Sequence, residues 1–160
     1  MSMTTQRGFV LVLVCFLGLV AYGAQRNLRF VEKFQIPGSS ETVVVAEGDF
    51  EPRSAGSYTL MVYSGRSKRF PTDDFVTGVI HRRNGRVENV KFEDVDDDGR
   101  RDIVIIIRSA GSGSYLSADA FHYGNGSLEL IGSVSDLEKN TDPIQALRGK
   151  LSVPRQRQSK

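Results

Sequence analysis

The chain has 160 residues, 39% hydrophobic and 25% charged, a balance that suits one folded domain and excludes wholesale disorder. Its single cysteine, Cys15, and its 2 histidines exclude a disulfide framework, a Cys/His zinc centre and thiol catalysis in the folded part. With 21 Lys and Arg against 19 Asp and Glu, the formal charge of +2 gives no reason to expect nucleic acid or another polyanion as partner.

Arg7 is followed by an unbroken apolar stretch from Phe9 to Tyr22, with small residues at Ala21 and Gly23. The stretch is shorter than the roughly 20 apolar residues of a spanning helix, and the small residues suit a signal peptidase groove. Residues 1–23 are therefore expected to be a signal peptide, cleaved before Ala24, leaving an exported mature chain without cysteine or membrane span. The domain is expected to cover residues 24–147, which hold 15 Lys and Arg against 19 Asp and Glu. This acidic body favours a cationic partner. Residues 148–160 contain five more basic residues and no acid, and read as a basic, fraying tail.

From Arg26 to Ser133 short runs rich in Val, Ile, Tyr, Phe and Thr alternate with turn clusters. Strands are predicted near Leu28–Ile36, Thr42–Glu47, Ser57–Ser64, Phe75–His81, Arg86–Val95, Asp102–Ser109, Ser114–Tyr123 and Ser127–Gly132. In the third, Tyr58, Leu60 and Val62 face one way and Thr59, Met61 and Tyr63 the other. The run Asp102–Ile107 is apolar on both faces, which predicts a central strand. Asn84-Gly85 suits a tight hairpin, and Gly124-Asn125-Gly126 closes the last pair. A short helix interrupted by Pro143 is expected between Asp136 and Leu147. The predicted architecture is an all-β antiparallel sandwich or barrel of about eight strands.

Neither His81 nor His122 stands in a catalytic motif, and no nucleophile elbow, zinc helix or phosphate loop is present. The chain is therefore read as no enzyme, a hydrolase ranking last, and no cofactor is assigned. Two segments carry specific chemistry. In Asp94-Val-Asp96-Asp97-Asp98-Gly99-Arg100-Arg101-Asp102, the carboxylates of Asp94, Asp96, Asp98 and Asp102 follow a calcium-loop spacing, but Ile105 stands where the bidentate Glu belongs. A solvated hairpin offset by Arg100 and Arg101 predicts no heat on calcium titration. A filled loop predicts binding and a calcium-stabilised carbohydrate- or protein-binding module. Both stay open, and no metal ligand is assigned. In the second segment, Gly111-Ser112-Gly113-Ser114-Tyr115, the glycines permit positive φ and close approach, the serines adaptable hydrogen bonds, and the tyrosine a large contact with a phenolic hydroxyl.

The run GSGSYLSADAF (Gly111–Phe121), with VVVAEGDFEPRS (Val43–Ser54) and DDFVTGVI (Asp73–Ile80), resembles the bacterial periplasmic inhibitors of invertebrate-type lysozyme. The resemblance spans roughly Phe30 to Ile131. It implies a secreted, all-β, homodimeric inhibitor whose loop plugs the lysozyme cleft, with its key serine at Ser112 and its key tyrosine at Tyr115. That role is chemically coherent. A retaining glycosidase holds two carboxyl groups about 5 Å apart, one protonated and one ionised. A hydroxyl donates to one and accepts from the other without bringing a charge into the cleft.

Overall fold

The computed structural model describes residues 29–152. The expected signal peptide, the residues up to 28 and the last residues of the basic tail, 153–160, lie outside the described residues. Eight strands and one helix follow in order: β1 (Val31–Gln35), β2 (Thr42–Glu47), β3 (Gly56–Tyr63), β4 (Phe75–Arg83), β5 (Arg86–Glu93), β6 (Asp102–Arg108), β7 (Leu116–Gly124), β8 (Ser127–Leu137) and α1 (Pro143–Leu151). They form two antiparallel four-stranded meanders, β1-β2-β3-β4 and β5-β6-β7-β8, as the all-β reading expected.

The alternation along β3 decides which face is buried. Tyr58, Leu60 and Val62 are fully buried, together with Val43 and Val45 of β2. They meet Val87, Val90, Ile103, Ile105, Ile107 and Phe121 of the second sheet. The other face of that sheet is not solvated. Val104, Ile106, Ala118 and Ala120 pack under Ile144 and Leu147 of α1. β6 is thus covered on both sides, as its apolar run predicts. Each of its large side chains removed from water contributes about 1.5–3 kcal/mol.

Two expected features take a different form. Pro143 does not interrupt a helix but begins one: its fixed φ and missing N–H suit the first turn, and the Asp142 carboxylate caps it by accepting from the Ile144 amide at 2.9 Å. Strand β8 continues to Leu137, so the helix occupies only the later part of the expected Asp136–Leu147 span and extends beyond it to Leu151. The helix also runs through the boundary drawn at 147/148. Arg148 donates to the Asp94 carbonyl at 3.0 and 2.9 Å, and Lys150 to that of Ser133 at 2.6 Å. These two basic residues therefore belong to the fold rather than to a tail.

Asn84-Gly85 closes no hairpin. β4 pairs with β3 and β5 with β6, and the two residues carry the chain from one sheet to the other. A type I′ hairpin turn needs positive φ at both central positions, but only Gly85 has it (φ 127°). A Cβ there would lie 2.1 Å from the Arg108 carbonyl oxygen, so glycine is required. By contrast Asn125 (φ 53°) and Gly126 (φ 73°) do close β7 onto β8.

Buried Arg83 stitches this corner. Its guanidinium donates to the carbonyls of Ser57 (2.9 Å), Arg53 (3.0 Å), Pro52 (3.2 Å) and Gly85, and lies 3.8 Å from the buried Glu47 carboxylate. Glu47 in turn accepts from the Val87 amide at 2.6 Å. Beside them Glu51 accepts from the amide (2.5 Å) and hydroxyl (2.7 Å) of Ser57, which hold its carboxyl below the ordinary 4.5, helped by Arg83 and Arg29. A depressed carboxyl stabilises the fold above its unfolded value and loses that contribution as pH falls through the folded one. Glu51→Gln is therefore expected to lower the urea midpoint at pH 7, with the difference closing in acid; a difference that persists below the folded value would contradict the assignment.

Candidate functional site

The hairpin between β6 and β7 presents the loop Ser109–Tyr115. Its roots are anchored in the core, since β6 is buried on both faces and Leu116 opens β7 inside the second core. The loop is closed at its base by the Ser109 amide donating to the Tyr115 carbonyl at 2.9 Å. It is turned at its tip by the Ser114 amide donating to the Gly111 carbonyl at 3.1 Å. Arg108 braces it from the side. Its Nη1 donates to the Ser114 carbonyl at 3.1 Å, while Nε and Nη2 grip both carboxylate oxygens of Glu88 at 2.6 and 2.9 Å. A two-pronged, half-buried pair of this kind is more geometrically specific than a single contact.

Residue-level reading missed this brace. Glu88 reaches Arg108 because the ladder between β5 and β6 shifts register between Val87 and Asn89, and a bulge re-aims the extra side chain. The only sequence signal was an arginine standing between the apolar strand and the loop.

All five expected site residues, Gly111, Ser112, Gly113, Ser114 and Tyr115, are brought together on this loop. Ser112 is exposed and the Tyr115 ring is 47% exposed. Among the described residues neither hydroxyl meets a hydrogen-bond partner, so both are available to another molecule. The positive φ expected of the glycines falls instead on Ser114 (φ 47°). Gly113 serves a different purpose: a Cβ there would sit 2.3 Å from the Tyr115 ring, whereas one on Gly111 would meet nothing within 4 Å. Gly113→Ala is thus expected to push the Tyr115 ring aside with little change in melting temperature, and Gly111→Ala to leave the ring in place. A pair of crystal structures of the variants checks both.

The acidic segment lies away from this loop. Oxygens of Asp94, Asp96 and Asp102 converge within 4.8 Å, and Asp94 Oδ1 is buried without a partner. Asp98 departs from them: it accepts from the Arg100 amide at 2.7 Å. Burial raises the Asp102 carboxyl above its usual range, opposed by the Val95 amide and by His122, 3.1 Å away. His81 lies against Tyr58 and Phe121 and 3.3 Å from Asp119, to which buried Tyr58 donates at 2.8 Å. Burial, followed by Asp119, drives the Tyr58 phenol upward, and burial with Glu41 pushes Tyr123 up to about 12. Both histidines are therefore packed against buried acids, distant in role from the loop.

A stiff β-sandwich holding out a braced, uncharged, hydroxyl-bearing hairpin has the form of a protein-binding module. Residues 28–151 match the family described as periplasmic lysozyme inhibitor of I-type lysozyme. The chain belongs to this family, whose members are inhibitors and not enzymes. No curated protein matches significantly. Among solved structures, the periplasmic I-type lysozyme inhibitor of Aeromonas hydrophila is 40% identical, with a TM-score of 0.69 over 74% of this chain and 98% of that one. The Aeromonas hydrophila inhibitor in complex with Meretrix lusoria lysozyme is 41% identical, with a TM-score of 0.69 over 74% and 95% of the two chains. Among the described residues no helix is long and apolar enough to cross a membrane.

Proposed function

We propose that this chain inhibits invertebrate-type lysozyme by seating the Ser109–Tyr115 loop in the catalytic cleft. The observation that carries the reading is the pair of unpartnered hydroxyls, Ser112 and Tyr115, on a loop braced from both ends. Each hydroxyl donates to the ionised catalytic carboxylate or accepts from the protonated one. The loop offers no glycosidic bond, so it occupies the cleft without turnover. The complex known for the Aeromonas hydrophila relative supports the choice of partner.

In this reading residues 1–23 export the chain and the mature inhibitor begins at Ala24. It acts as a homodimer, a reading supported by the outer face of the first sheet. There Val31 (60% exposed) and Ile80 (75% exposed) lie in one row across Ala46 and Thr59. Light scattering on the mature protein, set against Ile80→Lys, tests that part.

The main test mixes purified mature protein with invertebrate-type and chicken-type lysozymes and follows cell-wall lysis with and without chelator. The expected result is stoichiometric arrest of the invertebrate-type enzyme, unaffected by chelator. Undiminished lysis at molar excess would overturn the reading, and inhibition lost to chelator would favour a calcium-dependent module.

A further inference from the structure

Beside the loop lies a notch lined by Arg53, Arg86 and Arg108 together with Ser109, Gly111 and Ser114. It is a local concentration of positive charge on a body whose 24–147 segment is net negative. The three arginines are not equivalent. Arg108 is neutralised by Glu88, and the Arg53 carbonyl is tied to Arg83. Arg86, at the start of β5, is exposed, and its side chain makes no hydrogen bond or ion pair among the described residues. The notch wall also holds a polar group in need of a partner: Ser109 Oγ is buried without one. Buried hydroxyls are nearly always satisfied, so an orphan in the wall of an open notch marks a place where an acceptor is missing.

On the other flank of the loop the charges cancel locally, since Glu138 and Lys139 are neighbours there. The loop is thus bordered on one side only by a notch that presents a cation, Arg86, with no ion-pair partner among the described residues. A partner that takes the loop into a cleft must bring the two lips of that cleft against these two unlike flanks.

We infer that the notch is a second contact for the lysozyme, receiving a carboxylate side chain from one lip of its cleft, with Arg86 as the principal cation. This rests on the inhibitory reading above and adds to it what sets the orientation of docking. A guanidinium fork matches a carboxylate, and the bound oxygen supplies the acceptor that the Ser109 hydroxyl lacks. Charges at the edge of an interface act mainly on the association rate and on register. The notch therefore selects, from the two ways a loop can enter a groove, the one that brings an acidic lip to Arg86.

The test measures association rate and inhibition constant against an invertebrate-type lysozyme at about 50 and about 300 mM salt, because screening separates edge charges from buried contacts. Wild type, Arg86→Ala, Arg86→Glu and Tyr115→Ala are compared, with melting temperatures taken alongside. Arg86→Glu is expected to weaken inhibition by about tenfold or more at low salt, chiefly through slower association, and the gap is expected to narrow at high salt. Its melting temperature should stay close to wild type, since the side chain makes no hydrogen bond or ion pair among the described residues. A lip carboxylate of the lysozyme changed to lysine should restore inhibition by Arg86→Glu. Wild-type rates and salt dependence in Arg86→Glu would overturn the inference while leaving the inhibitory reading intact. A salt-independent loss accompanied by a lower melting temperature would overturn it as well, by assigning Arg86 to the fold. Absence of inhibition by wild type would remove both.

Discussion

Tyr115→Ala is expected to abolish most of the inhibition while leaving the fold untouched. A half-exposed aromatic side chain with a free hydroxyl, on a braced loop at the centre of a contact, is the kind of residue whose truncation costs about 2–4 kcal/mol of binding. That corresponds to roughly 30- to 1000-fold in the inhibition constant. The ring rests over Gly113 and makes no hydrogen bond of its own, so the melting temperature should hardly move. Tyr115→Phe separates the two contributions: it keeps the contact area and loses only the hydroxyl, worth about 1–3 kcal/mol if the acceptor is left buried. Ser112→Ala is expected to fall in the same range as the phenylalanine variant. Titration of lysis by each variant checks the order. Equal inhibition by Ser112→Ala/Tyr115→Ala would take the loop out of the mechanism.

The second large effect concerns stability. Arg83→Met removes the guanidinium donor from four carbonyl oxygens at the sheet-to-sheet corner, of which that of Ser57 keeps only the long Gly48 amide contact, and strands the buried Glu47 carboxylate on a single amide. Breaking a buried pair in this one-sided way costs about 3–5 kcal/mol, a large share of the 5–15 kcal/mol that holds a typical domain together. A fall of roughly 10–20 °C in melting temperature is expected for a chain of this size. Removing both partners, as Glu47→Gln/Arg83→Met, should recover part of the loss, because the uncompensated charge is gone. Urea unfolding of wild type and the two variants measures this. A single variant as stable as wild type would show that the corner does not depend on its arginine.

Arg83 also links stability to the site. It holds the carbonyls of Pro52 and Arg53, the segment that forms one wall of the notch beside the loop. Partial unfolding of the corner should therefore weaken inhibition before the second sheet is lost.

Features governed by local periodicity could be read without coordinates. The run Ile103–Ile107 of β6 is apolar at every position, and only burial on both faces accommodates that. The alternation along β3 placed Tyr58, Leu60 and Val62 inside. The loop was legible as a Gly/Ser connection because its residues are contiguous, and only the resemblance pointed to a role for it. What escaped detection depends on register and on distant partners. Glu88 meets Arg108 only through a bulge that no local pattern specifies, and Gly113 is required by a ring two residues away. Asn84-Gly85 carries the usual hairpin signal, yet the pairing preferences of β3 and β6 draw its flanking strands into different sheets. Pro143 reads as an interruption from its ring alone, whereas the Asp142 cap before it makes it the first residue of a helix.

The order of strands within each sheet follows the order of the chain without a single crossover. Every pairing can thus nucleate between segments that emerge next to one another, keeping loop-closure entropy small and contact order low for an all-β chain. Neither half has to wait for the other before its own ladder forms. Such a polypeptide, holding no thiol to pair among its described residues, can reach its working shape quickly, with no oxidation step on the way.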